Sequence, residues 1–277
     1  MRENSHSIGR PLGGLSARER EFVGLVLAEE RATITADDVQ VARRCSRNTA
    51  HQTLSRLERK GWLRRLRRGV YAVVPLTSLD GEPSTDNPWA VAMDLFDPAF
   101  ISGWSAAEHW DLTEQVFNTV AVVTTTRQRQ TMHKMGGVSY RSRTVRPDRF
   151  FGARTEWFGS APVKVADPSR TLIDIADLPS FGGGGRHMID VVRAYWRSDH
   201  QDPPLLLDYA RRYDRGTVLK RLGFLAEILD APVDDAWLQT CRASISQGVT
   251  NLDPAAPPRG RIISRWHLRV NLPLNTP

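Results

Sequence analysis

Cysteine is scarce in this 277-residue chain: there are two, Cys45 and Cys241, far apart and outside any CxxC spacing. That excludes a disulfide scaffold and a zinc ribbon, and makes a reducing cytoplasm the expected compartment. Long apolar runs are missing as well. No stretch approaches the roughly 18 apolar residues that span a bilayer, so no membrane partner is expected. Residues 1–15 carry Arg2 and His6 but no apolar segment, which predicts a disordered tail and not a secretory signal. Catalytic motifs are absent too. His109, His133, His187, His200 and His267 are scattered without HExxH or another ligand spacing, and His109 beside Trp110 reads as a packed side chain. There is no GxSxG elbow. Gly182–Gly185, followed by Arg186, lacks the Lys-Ser/Thr of a P-loop; it reads as a flexible loop, with an anion-binding nest as the alternative. Asp167, Asp174 and Asp177 lie near one helix, but only Asp174 and Asp177 are i, i+3 neighbours and no third ligand joins that pair, so capping and structural roles are expected rather than a metal site. Glu58-x-Lys60 matches half of a nuclease motif, but sits on a helix with no acidic partner. No catalytic residue, metal or cofactor is expected, and the chain reads as a non-enzyme.

What the sequence does have is concentrated basic charge. The net charge is +7, yet ten basic residues fall between Arg43 and Arg68, where Glu58 is the only acid. The remainder of the chain holds 28 basic and 30 acidic residues. One basic patch on a near-neutral body is the electrostatic footprint of a nucleic-acid site.

The pattern inside the patch supports that reading. Ser16 with Glu19 has capping-box spacing, and Phe22, Val23, Val26 and Leu27 form an apolar stripe, which predicts a first helix to about Glu30. Ile34 is a short extended link. Thr35 caps a second short helix through Ala42, and a tight turn at Arg44 and Cys45 follows. Ser46 caps a third helix ending at Gly61. Trp62–Leu66, the Arg67-Arg68-Gly69 turn and Val70–Val74 predict a β-hairpin. Residues 16–75 therefore read as a winged helix-turn-helix, with Ser46–Lys60 as the recognition helix and Trp62–Pro75 as the wing. At about 100° per residue, Ala50, Leu54 and Leu57 face inward. Asn48, Gln52, Ser55, Arg56 and Arg59 face outward, with Thr49 and His51 at the margins. Asn, Gln and Arg carry the donors and acceptors that read base edges. Arg64, Arg65, Arg67 and Arg68 are placed in the wing for phosphate or minor-groove contact.

Residues 76–88 (LTSLDGEPSTDNP) read as a linker. Residues 89–277 are expected to form a larger α+β domain. Helices are predicted at Trp89–Phe96, Ser105–Trp110, from Asp167-Pro168, and at Met188–Trp196, Leu205–Tyr213, Val218–Leu229 and Ala236–Ser246. Strands are predicted at Val116–Thr126, Val138–Val145 and Val163–Ala166. Arg261–Leu272 alternates as one half-exposed strand.

Five segments in order, LERKGWLRRLRRGVYAV, FISGWSAAEHWDLTEQ, VKVADPSRTLIDIADL, LKRLGFLAEIL and RGRIISRWHLRVN, resemble the AbiEi-type antitoxins of type IV toxin–antitoxin systems. The Arg- and Trp-rich composition is similar to that of actinobacterial members, including mycobacterial ones. The resemblance implies an N-terminal winged helix and a C-terminal antitoxin domain. It also implies repression of the operon through promoter inverted repeats, with two copies on DNA, and neutralisation of a nucleotidyltransferase-like toxin. The family's DNA-contacting surface carries over to Arg47, Asn48, Gln52, Arg56, Arg64, Arg65, Arg67 and Arg68. The competing expectation is a ligand-responsive transcription factor whose body is a small-molecule sensor.

Overall fold

The computed structural model describes residues 13–28, 32–74, 87–159 and 161–274. The expected linker falls almost wholly outside them, as do most of the N-terminal tail and the end of the first helix at Glu30. The expected fold class holds: the chain is mixed α and β.

The first unit, here the head, runs α1 (Ala17–Ala28), β1 (Ile34–Thr35), α2 (Ala36–Arg43), α3 (Arg47–Arg59), β2 (Leu63–Arg67) and β3 (Val70–Val73). The caps explain the boundaries. Thr35 and Asp38 close a capping box on α2, and the Ser46 hydroxyl accepts from the Thr49 N–H on α3. At the end of α3, Trp62 N–H bonds the Leu57 carbonyl and Gly61 N–H bonds that of Glu58, with Gly61 at φ +83°. This paired closure needs a left-handed residue, which glycine adopts without strain. Ile34 adds a third strand to the hairpin by pairing with Tyr71. Phe22, Val23, Val26, Val39, Ala50, Leu54, Leu57, Leu63 and Tyr71 share the head's core.

The body begins with α4 (Pro88–Phe96), capped by Asn87, then β4 (Ala99–Ile101), α5 (Gly103–His109), β5 (Thr119–Thr124), β6 (Met132–Met135), β7 (Val138–Thr144), β8 (Ala153–Phe158) and β9 (Ala161–Ala166). These strands form one mixed sheet in the order β6-β7-β5-β4-β9-β8. β6 and β8 escape a hydrophobic-pattern reading because both are polar edge strands, half exposed on the sheet margins. Helices α6 (Pro168–Asp177), α7 (Gly185–Arg197), α8 (Pro203–Tyr213), α9 (Gly216–Ile228) and α10 (Asp235–Ala243) build a second core. Every residue of α6 is buried, so this helix is the axis of the body.

Two expectations are corrected. Residues 261–272 are not one strand but a hairpin, β11 (Arg261–Ile263) against β12 (Leu268–Val270), flanked by β10 (Thr250–Asn251). Trp266 breaks the alternation: it is fully buried, occupies the space left by Gly223, and donates its indole N–H to Glu227 at 2.5 Å. Gly182–Gly185 is a packed junction rather than a flexible loop. Gly184 caps α7, and the Gly185 N–H is bonded by Asp253 at 3.0 Å. A side chain at Gly185 would collide with Asp253 and Leu272.

Candidate nucleic-acid interface

α2, the turn at Arg44 (φ +45°) and α3 form the helix-turn-helix. Thr53 locks the two helices: it accepts from the Arg43 guanidinium at 2.8 Å and donates to the Thr49 carbonyl at 2.9 Å. With Ala50, Thr53, Leu54 and Leu57 turned inward, the opposite face carries Arg47, Asn48, Thr49, His51, Gln52, Ser55, Arg56 and Arg59, all exposed. The amphipathic division read from the sequence therefore places all eight α3 candidates on solvent. No acid lies among them; Glu58 is half-buried at the edge.

Arg56 differs from its neighbours. Its Nε lies 2.7 Å from Glu19 Oε1, and Lys60 Nζ lies 2.7 Å from Glu19 Oε2. Glu19 is only 1% exposed and also closes the predicted capping box of α1, accepting from the Ser16 N–H at 2.8 Å. Burial pushes its carboxyl up, but Lys60 and Ser16 outweigh burial and hold it at about 2. One carboxylate thus starts α1 and steadies the C-terminal turn of α3. Arg56 keeps half of its side chain exposed.

The hairpin has two buried faces. On β3, Tyr71 turns to the head's core, while Val70 and Ala72 turn to the core of the body, joined there by Leu66 of β2. Arg64 is half-buried and donates to the Gly136 carbonyl in the β6–β7 turn at 3.2 Å. A second tie, Thr33 Oγ1 to Asp94 Oδ2 at 2.7 Å, joins the head to α4. The four wing arginines are therefore not equivalent. Arg65, Arg67 and Arg68 are exposed; Arg64 braces head against body.

The carboxylates weighed in the body serve structure. Asp167 caps α6 and accepts from Tyr209. Asp174 binds Arg170 through both oxygens at 3.0 Å, with both side chains wholly buried, and accepts from Ser102 at 2.7 Å. Asp177 is held by Arg143, Arg215 and Tyr213. His109 packs between Trp89, Trp110 and Phe158, and burial lowers its pKa. Both cysteines are free, and burial pushes the Cys241 thiol up to about 12. No helix among the described residues is long and apolar enough to cross a membrane.

Residues 27–74, which hold the helix-turn-helix and its hairpin, match the family described as transcriptional regulators, AbiEi antitoxin. The match ties this segment, and not the rest of the chain, to the AbiEi antitoxin family. No curated protein matches the chain. Its fold as a whole is similar to that of the RV2827C protein from Mycobacterium tuberculosis, a crystal structure, with a TM-score of 0.62. That likeness covers 94% of this chain and 92% of the other at 16% identity, and it shows fold alone. The sequence reading missed the residues that join head to body. Thr33, Asp94 and Gly136 carry no pattern of their own. Val70–Val74 did carry one: an unbroken apolar run marks a strand buried on both faces.

Proposed function

We propose that this chain is a cytoplasmic autorepressor and antitoxin. In this reading the outward face of α3 reads base edges in the major groove, and Arg65, Arg67 and Arg68 hold the flanking phosphates. Two copies bind promoter inverted repeats, and the body counteracts a nucleotidyltransferase-like toxin without chemistry of its own. The observation that carries the DNA-binding part is the coincidence of eight exposed polar and basic side chains on α3 with three exposed arginines on the adjoining hairpin. Support for a non-catalytic body comes from its buried carboxylates, which are occupied by arginine and tyrosine partners.

Fluorescence anisotropy with the chain's own upstream DNA, against a scrambled duplex across a salt series, tests the repressor reading. Tighter binding to the upstream DNA by several kcal/mol at physiological salt is expected, since specific and non-specific binding differ by roughly 4–10 kcal/mol. Equal, steeply salt-dependent binding to both duplexes would overturn it. Co-expression with the neighbouring gene product tests the antitoxin arm: growth arrest relieved by this chain is expected, and arrest unrelieved would refute it.

A further inference from the structure

We propose that a pocket in the body takes an organic cation, a guanidinium or alkylammonium group, with the Glu108 carboxylate as its counter-charge. Pocket and α3 face are independent, and either can fail without the other. The pocket lies between the start of α4, the end of α5 and the lead into β5, and has a volume of about 380 Å³. Ligand pockets begin at about 300 Å³. Trp89, His109 and Phe117 supply aromatic wall, Ser105 and Asn118 supply neutral polar groups, and Glu108 is the only Asp, Glu, Lys or Arg in the lining.

Glu108 departs from the habit of the body's sheltered carboxylates. Asp167, Asp174, Asp177 and Glu227 all have partners. Glu108 is half-buried, yet its carboxylate meets no hydrogen-bond donor and no cation among the described residues. His109 does not serve it. That ring packs edge-on against Trp89 and Trp110, and its Nε2 lies 3.9 Å from a different carboxylate, Glu156. Burial lowers the pKa of His109, so at neutral pH it is wall and not counter-charge. The surroundings add to the negative field: residues 108–117 contain Glu108, Asp111 and Glu114 and no Lys or Arg. An anion is repelled here, and a cation is drawn in.

The lining decides which kind of cation. A hard metal ion calls for about six oxygen ligands, and no group of His, Cys, Asp and Glu that could hold one occurs among the described residues. One carboxylate among aromatic rings suits a weakly hydrated organic cation, which gains from the ring faces as well as from the charge. The body already uses that pairing within itself. Arg154 lies over the Trp110 ring at 4.9 Å, and Arg141 lies over the Trp104 ring at 5.5 Å, on which Phe117 stacks. Trp89 and Phe117 have no cation over their rings among the described residues, and they line the pocket. The side-chain carbonyl of Asn118 adds a neutral acceptor for a guanidinium or ammonium N–H.

The test is calorimetric titration of the full chain, at fixed ionic strength, with choline and with ethylguanidinium. The controls are potassium chloride and the uncharged isostere of choline in which carbon replaces nitrogen. At least one of the two cations should bind saturably at one site, and the uncharged isostere should bind roughly tenfold more weakly or not at all. Glu108→Gln keeps the shape and should weaken cation binding by roughly tenfold. Glu114→Gln removes an equal charge from an exposed position in the same segment and should leave it unchanged. A capped Gly-Arg-Gly peptide separates two sources of such a group: binding tighter than that of ethylguanidinium assigns the pocket to an arginine of a partner protein, and weaker binding assigns it to a free small molecule. No saturable binding of either cation, equal binding of the uncharged isostere or of potassium, or a Glu108→Gln loss matched by Glu114→Gln overturns the proposal. The wild-type arms stand whether or not the variants fold.

Discussion

Glu19 is the residue on which two helices depend. It caps α1 through Ser16 and faces both Arg56 and Lys60 at the end of α3. Its carboxyl sits at about 2, below the ordinary 4.5, so the unfolded chain binds the extra proton first on acidification. The stabilisation is complete above about 4.5 and is lost as pH falls from there towards 2. Glu19→Gln should remove about 1–3 kcal/mol of stability at neutral pH. It should also flatten the acid limb of the unfolding profile, and a profile unchanged by the substitution would refute the role. The same contact separates two α3 side chains that the sequence treats alike. Gln52→Ala should weaken specific DNA binding by about 1–3 kcal/mol and leave the melting temperature in place. Arg56→Ala should lower both, because Glu19 then keeps Lys60 as its sole cation; binding and melting measured on the two variants decide it.

At the scale of elements, α3 was legible almost residue by residue. Its caps at Ser46 and Gly61 and the inward set Ala50, Leu54 and Leu57 are local properties, fixed by spacing that a single segment carries. The hairpin was legible as a hairpin but not as a wall between two cores, since that depends on distant partners such as Gly136, 72 residues from Arg64. The polar edge strands β6 and β8 and the bend at Trp266 were illegible for the same reason: each takes its shape from what it packs against. The distinction has a measurable consequence. Arg65→Ala/Arg67→Ala/Arg68→Ala should lower the salt slope by about three, one phosphate each. Arg64→Ala should change the slope little and lower the melting temperature instead, because it breaks the bond to Gly136. The reverse pattern would mean that the hairpin lies differently on the body.

At the scale of the molecule, the body is organised around a buried ion network on α6. Arg170 and Asp174 are both fully buried, so Asp174→Asn leaves a guanidinium without its counter-charge. That should destabilise the body by about 3–5 kcal/mol. Magnesium or manganese should not shift the melting temperature of the wild type, as Asp174 and Asp177 serve arginines; a metal-dependent rise would reopen the site. Head and body share the core around Leu66, Val70 and Ala72 and the bond from Thr33 to Asp94. Calorimetry should therefore record one cooperative transition, and Leu66→Asp should divide it into two.

The two-faced strand β3 also bears on how such a regulator is dismantled. Severed after residue 74, the reader would bear Leu66, Val70 and Ala72 on an uncovered back, a stripe suited to aggregation or degradation rather than to occupying a promoter. Under the proposed autorepression, proteolysis of the body would then free the promoter as well, so that destroying the antidote would raise its own supply.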